Sequence, residues 1–313
     1  LFVFPIWIFF ARTLDRLGKG IRTGARDAML SDEAAPETKG KVFGFHRALD
    51  TFGAAIGPVF ALLYLYLNPG DYKTLFYVAF VPGLAAILLS VFLKEKSRPT
   101  AITKTSTSFF AFIHYWKESP GLYRKVVIGL LVFTLFNSSD MFLLLKLKEG
   151  GLGDTAVVGT YIFYNLVYAV FAFPIGVIAD KLGLKNIFVA GLALFASVYF
   201  GMSVTNNLYI YFGLFFLYGL YAAATEGISK AWISNITEKK DTATAIGTYA
   251  GFQSICTMFA SSITGLIWFQ FGAAAAFITT AVITLAVIIY FIAGIPSPTI
   301  RKKVIVAEPN KID

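Results

Sequence analysis

Charge is what this chain has least of. Its 313 residues are 14% Asp, Glu, Lys and Arg against 57% hydrophobic, with a mean hydropathy of +0.69. Water-soluble domains carry roughly 25% charged residues, so a soluble globular fold is excluded and an all-α polytopic membrane protein is expected. Cysteine is nearly absent. Cys256 stands alone in an apolar stretch, which excludes an intrachain disulfide. Histidine is scarce, with His46 and His114 far apart, and no HExxH, CxxC or GxxxxGK[ST] pattern occurs. Those gaps argue against a zinc hydrolase, a dithiol centre and a phosphate-binding loop. The expectation is therefore no enzyme, no ATP-driven pump, no metal and no cofactor. Also lacking is a signal-peptide layout or an initiator Met, since Leu1 already lies inside an apolar run. The net charge of +9 sits in loops between apolar runs, which speaks of membrane orientation and not of nucleic acid.

What is there is apolar sequence in span-length windows of about 20 residues. Nine are predicted, near 3–31, 42–67, 73–93, 124–147, 156–179, 186–204, 207–235, 243–269 and 272–294. A polar connection over 94–123 separates three spans (1–93) from six (124–294), and 295–313 is a polar tail. Lys94, Lys96, Arg98, Lys104, Lys117, Arg124 and Lys125 cluster at the connection. Lys181 and Lys185 lie in a short turn, and Arg301, Lys302, Lys303 and Lys311 in the tail. The alternate loops hold few basic residues, so the positive-inside rule puts the connection and the C-terminus in the cytoplasm.

The first window carries the densest charge. Arg12, Arg16, Lys19, Arg22 and Arg26 recur every three or four residues, within an arc of roughly 120° on one helix face at about 100° per residue. Asp15 shares that arc, and Gly20 and Gly24 allow close helix approach. A basic group at mid-bilayer costs about 2.5–3.5 kcal/mol even on the insertion scale. Arg12, Arg16 and Lys19 therefore read as the wall of a watery cavity. Arg22 and Arg26 read equally well as a helix end reaching the interface.

The chain repeats itself weakly. Shifted by 203 positions, 31–44 falls on 234–247, with Ser31 on Ser234, Asp32 on Asn235, Glu37 on Lys240 and Gly44 on Gly247. In both stretches a polar helix end and a charged loop lead into a new span, as in two-half transporters.

Two motifs carry a resemblance. Gly176-Val-Ile-Ala-Asp180-Lys181-Leu-Gly183-Leu-Lys185 resembles the G-xxx-D-(R/K)-x-G-x-(K/R) loop signature of the major facilitator superfamily. Gly53-Ala-Ala-Ile-Gly57-Pro58 resembles the GxxxGP signature of that family's fifth span, common in its antiporters. The resemblance implies twelve spans in two six-helix halves, so the nine windows match spans four to twelve. Three more would then precede Leu1. It implies a gating role for Gly176, Asp180, Lys181, Gly183 and Lys185, and close packing with a bend for Gly53, Gly57 and Pro58. By half-to-half symmetry Asp180 is expected near the positive N-terminus of the second span, around Lys41 and Val42.

The remaining candidates are polar groups inside spans. Asp50 follows His46 at i+4 and Arg47 at i+3, so the three can interact. Asp50 is read either as a proton or substrate relay or as a neutraliser of a nearby arginine. Asn137-Ser-Ser-Asp140 lies in the fourth span, where Asp140 is expensive in lipid and is read as a site residue. Glu226 and Lys230 form an i,i+4 pair, coupling or self-neutralising. Asn165 and Gln253 are binding candidates or interhelical hydrogen bonders. Together these predict a monomeric plasma-membrane antiporter in the lipid bilayer. It would exchange protons for an anionic or amphipathic organic solute held near Arg12, Arg16, Lys19, Asn137, Asp140, Asn165 and Gln253. Organic-anion uptake or exchange is the alternative, and a non-transporting sensor is the alternative from another class.

Overall fold

A computed structural model describes residues 23–92 and 111–296, and every regular element in it is a helix. Residues 23–33 form α1, the described end of the first predicted span. A short 3-10 turn at Pro36–Thr38 leads into α2, Lys39–Leu67, and α3 follows at Tyr72–Val91. The polar connection holds a short helix, α4, at Ala111–Glu118. Then come α5 (Gly121–Phe136), α6 (Met141–Glu149), α7 (Asp154–Leu182), α8 (Leu184–Val204), α9 (Leu208–Asn235) and α10 (Thr242–Gly294).

The helix ends follow local chemistry. Asn207 caps α9 by accepting from the Tyr209 amide at 2.9 Å. Gly183 divides α7 from α8 with φ +95°, a left-handed conformation that a side chain would strain. Gly272 does the same inside α10 with φ 86°. At about 1.5 Å per residue the 53 residues of α10 are far longer than a bilayer core of about 30 Å. It is two crossings turned at one glycine, where a three-residue loop at 270–272 was expected.

The fourth predicted span departs more. The window 124–147 is not one helix: α5 stops at Phe136, residues 137–140 are non-helical, and α6 resumes at Met141. Apolar composition hides such a break, because hydropathy reports burial and not backbone geometry.

Aromatic packing joins α5, α8, α9 and α10. Phe133 meets Phe195 edge-on at 5.1 Å, Phe195 lies 4.6 Å from Tyr221, and Tyr199 meets Phe277 at 5.5 Å. Small residues set the closest approaches. A Cβ on Gly191 would sit 2.7 Å from Thr225 Cγ2, and one on Gly219 2.8 Å from the Tyr164 carbonyl oxygen. Lipid offers helices no hydrophobic drive to associate, so such close backbone packing carries much of the cohesion. The helix α4 seats Trp116 against Phe252 of α10, ring centroids 5.5 Å apart.

The helix α2 crosses α7 antiparallel along a glycine seam. A Cβ on Gly40 would lie 2.6 Å from the Gly176 carbonyl oxygen, and one on Gly44 2.5 Å from that of Ala172. The two helices touch through backbone. Gly53 and Gly57 have no described atom within 4 Å of an added Cβ, so the close packing expected of them is not found among the described residues.

Candidate functional site at a broken helix

The break at 137–140 borders a cavity of 290 Å³ between α5, α7, α9 and α10. Thr134, Asn137, Ser138, Ser139 and Asp140 line it from the break, Tyr164, Asn165 and Tyr168 from α7, Tyr218, Tyr221 and Glu226 from α9, and Gln253 and Thr257 from α10. An interrupted span frees polar backbone, which a membrane tolerates only where protein or a watery cavity satisfies it. Here the Asn137 amide bonds back to the Phe133 carbonyl at 2.9 Å, and the Asn137 side chain donates to Tyr221 Oη at 2.9 Å. The Asp140 carboxylate accepts from the Tyr164 hydroxyl and, at 3.3 Å, from Ser139 Oγ. Four of the predicted binding residues, Asn137, Asp140, Asn165 and Gln253, thus line one cavity. Asn165 also donates to the Tyr161 carbonyl at 2.9 Å within its own helix.

Beside this cavity lies a larger apolar one of 650 Å³, lined by Pro58 of α2, Met141, Leu144, Leu145 and Lys148 of α6, and Asp154, Val157, Val158 and Tyr161 of α7. Here α2 and α7, in backbone contact at Gly44, stand apart.

At the opposite end of α2 the helices are sewn shut. The Gly40 and Lys41 amides donate to the two Asp180 carboxylate oxygens at 2.7 and 2.8 Å. This is where the repeat expects Asp180, with a negative charge on a positive helix end. Buried Lys39 donates to the Ser234 carbonyl at 2.7 Å, and the Asn235 amide group reaches the Pro36 carbonyl at 3.0 Å. Lys185 is buried and donates to the Ile295 carbonyl.

Between the two levels runs a charge network of α1, α2 and α9. Arg47 bonds Asp50 at 3.4 Å on its own helix and Glu226 at 3.2 Å across to α9. Asp27, almost fully buried, takes Arg26 at 3.0 Å on one oxygen and Lys230 at 2.5 Å on the other. Three cations meet three carboxylates. The expected Glu226–Lys230 pair is corrected by this arrangement. The two share a helix face, yet each bonds a partner on another helix, Glu226 to Arg47 of α2 and Lys230 to Asp27 of α1. Asp27 was not among the sequence candidates, although a signal existed: shifted by 203 it falls on Lys230, so the bridge joins two repeat-related positions.

The Major Facilitator Superfamily profile matches twice, over residues 1–164 and 151–311. The chain belongs to the major facilitator superfamily. An uncharacterised transporter of this type from Methanocaldococcus jannaschii is 32% identical over 262 residues, covering 82% of this chain and 64% of that relative. The match therefore spans less than two thirds of the relative's length. An uncharacterised protein of Mycobacterium bovis is 34% identical over 92 residues, 29% of this chain and 22% of its own. The crystal structure of the human organic anion transporter MFSD10 (TETRAN) matches with a TM-score of 0.67 at 13% identity, covering 86% of this chain and 67% of that one. At that identity the likeness speaks of the fold alone.

Within this major facilitator fold the predicted residues separate into levels. Asn137, Asp140, Asn165, Gln253 and Glu226 sit at the cavity. Arg47, Asp50, Glu226 and Lys230 form the charge network. Gly176, Asp180 and Lys185 hold the closed end. His46 makes no described hydrogen bond to Asp50. Pro58 lines the apolar cavity. Arg12, Asp15, Arg16, Lys19 and Arg22 lie outside the described residues.

Proposed function

We propose that this protein is a secondary transporter that exchanges protons for a small amphipathic organic solute by alternating access. The observation that carries this is the double role of Glu226. Its carboxylate lines the cavity and also holds Arg47 of α2 at 3.2 Å. Protonating it from the cavity removes the negative partner of a bridge between α2 and α9. Arg47 then keeps Asp50 alone, and the end closed by Asp180 is freed to open. Losing the proton remakes the bridge and recloses that end.

On the loop-charge argument we place the Asp180 end at the cytoplasm of the plasma membrane, which turns the apolar cavity toward the outside. The division at 94–123 makes the six C-terminal spans one rocking body and the spans before it part of the other. Arg12, Arg16 and Lys19 are proposed to meet an anionic group of the solute, and export is the direction favoured by the GxxxGP resemblance. The protein acts as a monomer.

Reconstituted vesicles with an imposed pH gradient test this reading, with lumenal pH followed while organic anions and amphiphiles are offered. Solute-dependent proton movement, abolished in Glu226→Gln, is expected. Counterflow of an anion without proton movement would replace antiport by anion exchange.

A further inference from the structure

We propose that the cavity at the helix break is a subsite for the protonated amine of an amphipathic solute, with Asp140 as its counter-ion. The inference rests on the transport reading above and names a pole of the substrate. Asp140 and Glu226 are the carboxylates that line the cavity, and Lys230, which lines the adjoining space behind Glu226, is held by Asp27. Glu226 is already matched by Arg47. Asp140 is not matched. Its described partners are two hydroxyls, Ser139 and Tyr164, it enters no ion pair among the described residues, and at the N-cap position of α6 its side chain makes no capping bond. A carboxylate at membrane depth without a cation is costly, and such groups mark substrate or ion pathways.

The rest of the lining is uncharged and largely polar. Ser138 and Tyr168 also line this cavity, are 4% and 7% exposed, and have the hydroxyls of Tyr199 and Thr51 as neighbours. An ammonium supplies the positive partner that the Asp140 carboxylate lacks, with N–H donors for its remaining lone pairs. Tyrosine rings add to this. Tyr161, Tyr164 and Tyr218 stand in edge contact at 5.5 and 5.3 Å around Asp140, and ring faces attract a desolvated cation. The apolar cavity begins at Met141 and Tyr161, next to the acid, and its lining of Leu144, Leu145 and Val157 suits the hydrocarbon part. A charged amine on an apolar stem fits both compartments.

Calorimetric titration of the purified full chain with 4-phenylbutylammonium, its neutral analogue 4-phenylbutanol, and 4-phenylbutyrate tests the assignment. The ammonium is expected to bind at least tenfold more tightly than the alcohol. Asp140→Asn should erase that advantage, while Asp140→Glu, which keeps the charge, should retain it within a few fold and report on folding. Butyrate binding should not respond to Asp140→Asn. Equal binding of ammonium and alcohol, no ammonium binding, or an ammonium affinity indifferent to Asp140→Asn would each overturn the subsite. Failure of the transport reading looks different: Asp140-dependent amine binding persists, yet the vesicles move no protons.

Discussion

At the scale of single residues, the contact most sensitive to substitution is Asp27 with Lys230, 1% and 8% exposed. Removing one member of a buried ion pair strands the other and costs about 3–5 kcal/mol. Asp27→Asn and Lys230→Gln should each lower the unfolding midpoint in detergent sharply. The charge-swapped double variant, Asp27→Lys with Lys230→Asp, should recover part of that loss, since opposite charges again meet across the same contact. Recovery will be incomplete because Arg26 bonds Asp27 and would then face a lysine. No recovery at all would mean that the pair is held by its helix context and not by its charges. Asp180 is a gentler case. A carboxylate on a partly buried helix N-terminus contributes about 0.3–2 kcal/mol. Asp180→Asn should therefore leave the protein folded while weakening closure at that end, read as faster labelling of a cysteine placed at Lys41.

At the scale of elements, the seam between α2 and α7 is set by the absence of side chains. A Cβ on Gly176 would press on the Gly40 carbonyl, and one on Gly44 would stand 2.5 Å from the Ala172 carbonyl. Backbone atoms cannot swing aside, so Gly44→Val must part the helices. The expected result is loss of transport with the α5–α10 packing intact, checked by comparing transport with the melting of each variant. Wild-type transport in Gly44→Val would show that the seam is not needed in the cycle. This seam also shows what sequence could and could not reveal. Asp180 was legible because a motif and a repeat both pointed to the start of α2. Gly176 was legible from the motif alone. Of the partners, Gly44 was seen only as a member of a repeat and Gly40 not at all, since small residues announce closeness without saying to what. The break after Phe136 was invisible for another reason: NSSD is polar, but polar residues also occur in unbroken helices facing a cavity. Charge partners were the hardest. Glu226 and Lys230 satisfied a local rule, yet the bonds they make depend on how α1 and α2 meet α9, which no local spacing encodes.

At the scale of the whole molecule, the described polar contacts of α2 with its neighbours are one-sided. Asp180, Lys39 and the Asn235–Pro36 contact gather at one end, while α2 and α7 part around the apolar cavity beyond Ala55. If alternating access operates, tying the closed end should stop turnover without blocking the cavity. Cysteines at Pro36 and Asn235, in a Cys256→Ser background, lie at an inter-helix contact, since the Asn235 amide reaches the Pro36 carbonyl at 3.0 Å. A short cleavable bis-maleimide across them should abolish solute-dependent proton movement, and cleaving the linker should restore it. Amine binding to the tied protein should persist, because the cavity is reached from the far end. The two readouts separate gating from occupancy. Loss of both would mean that the linker distorts the cavity or that solute enters past Asp180. Undiminished transport with the linker in place would show that this end does not open in the cycle, and the exchange of protons at Glu226 would then have to act on some other contact between α2 and α9.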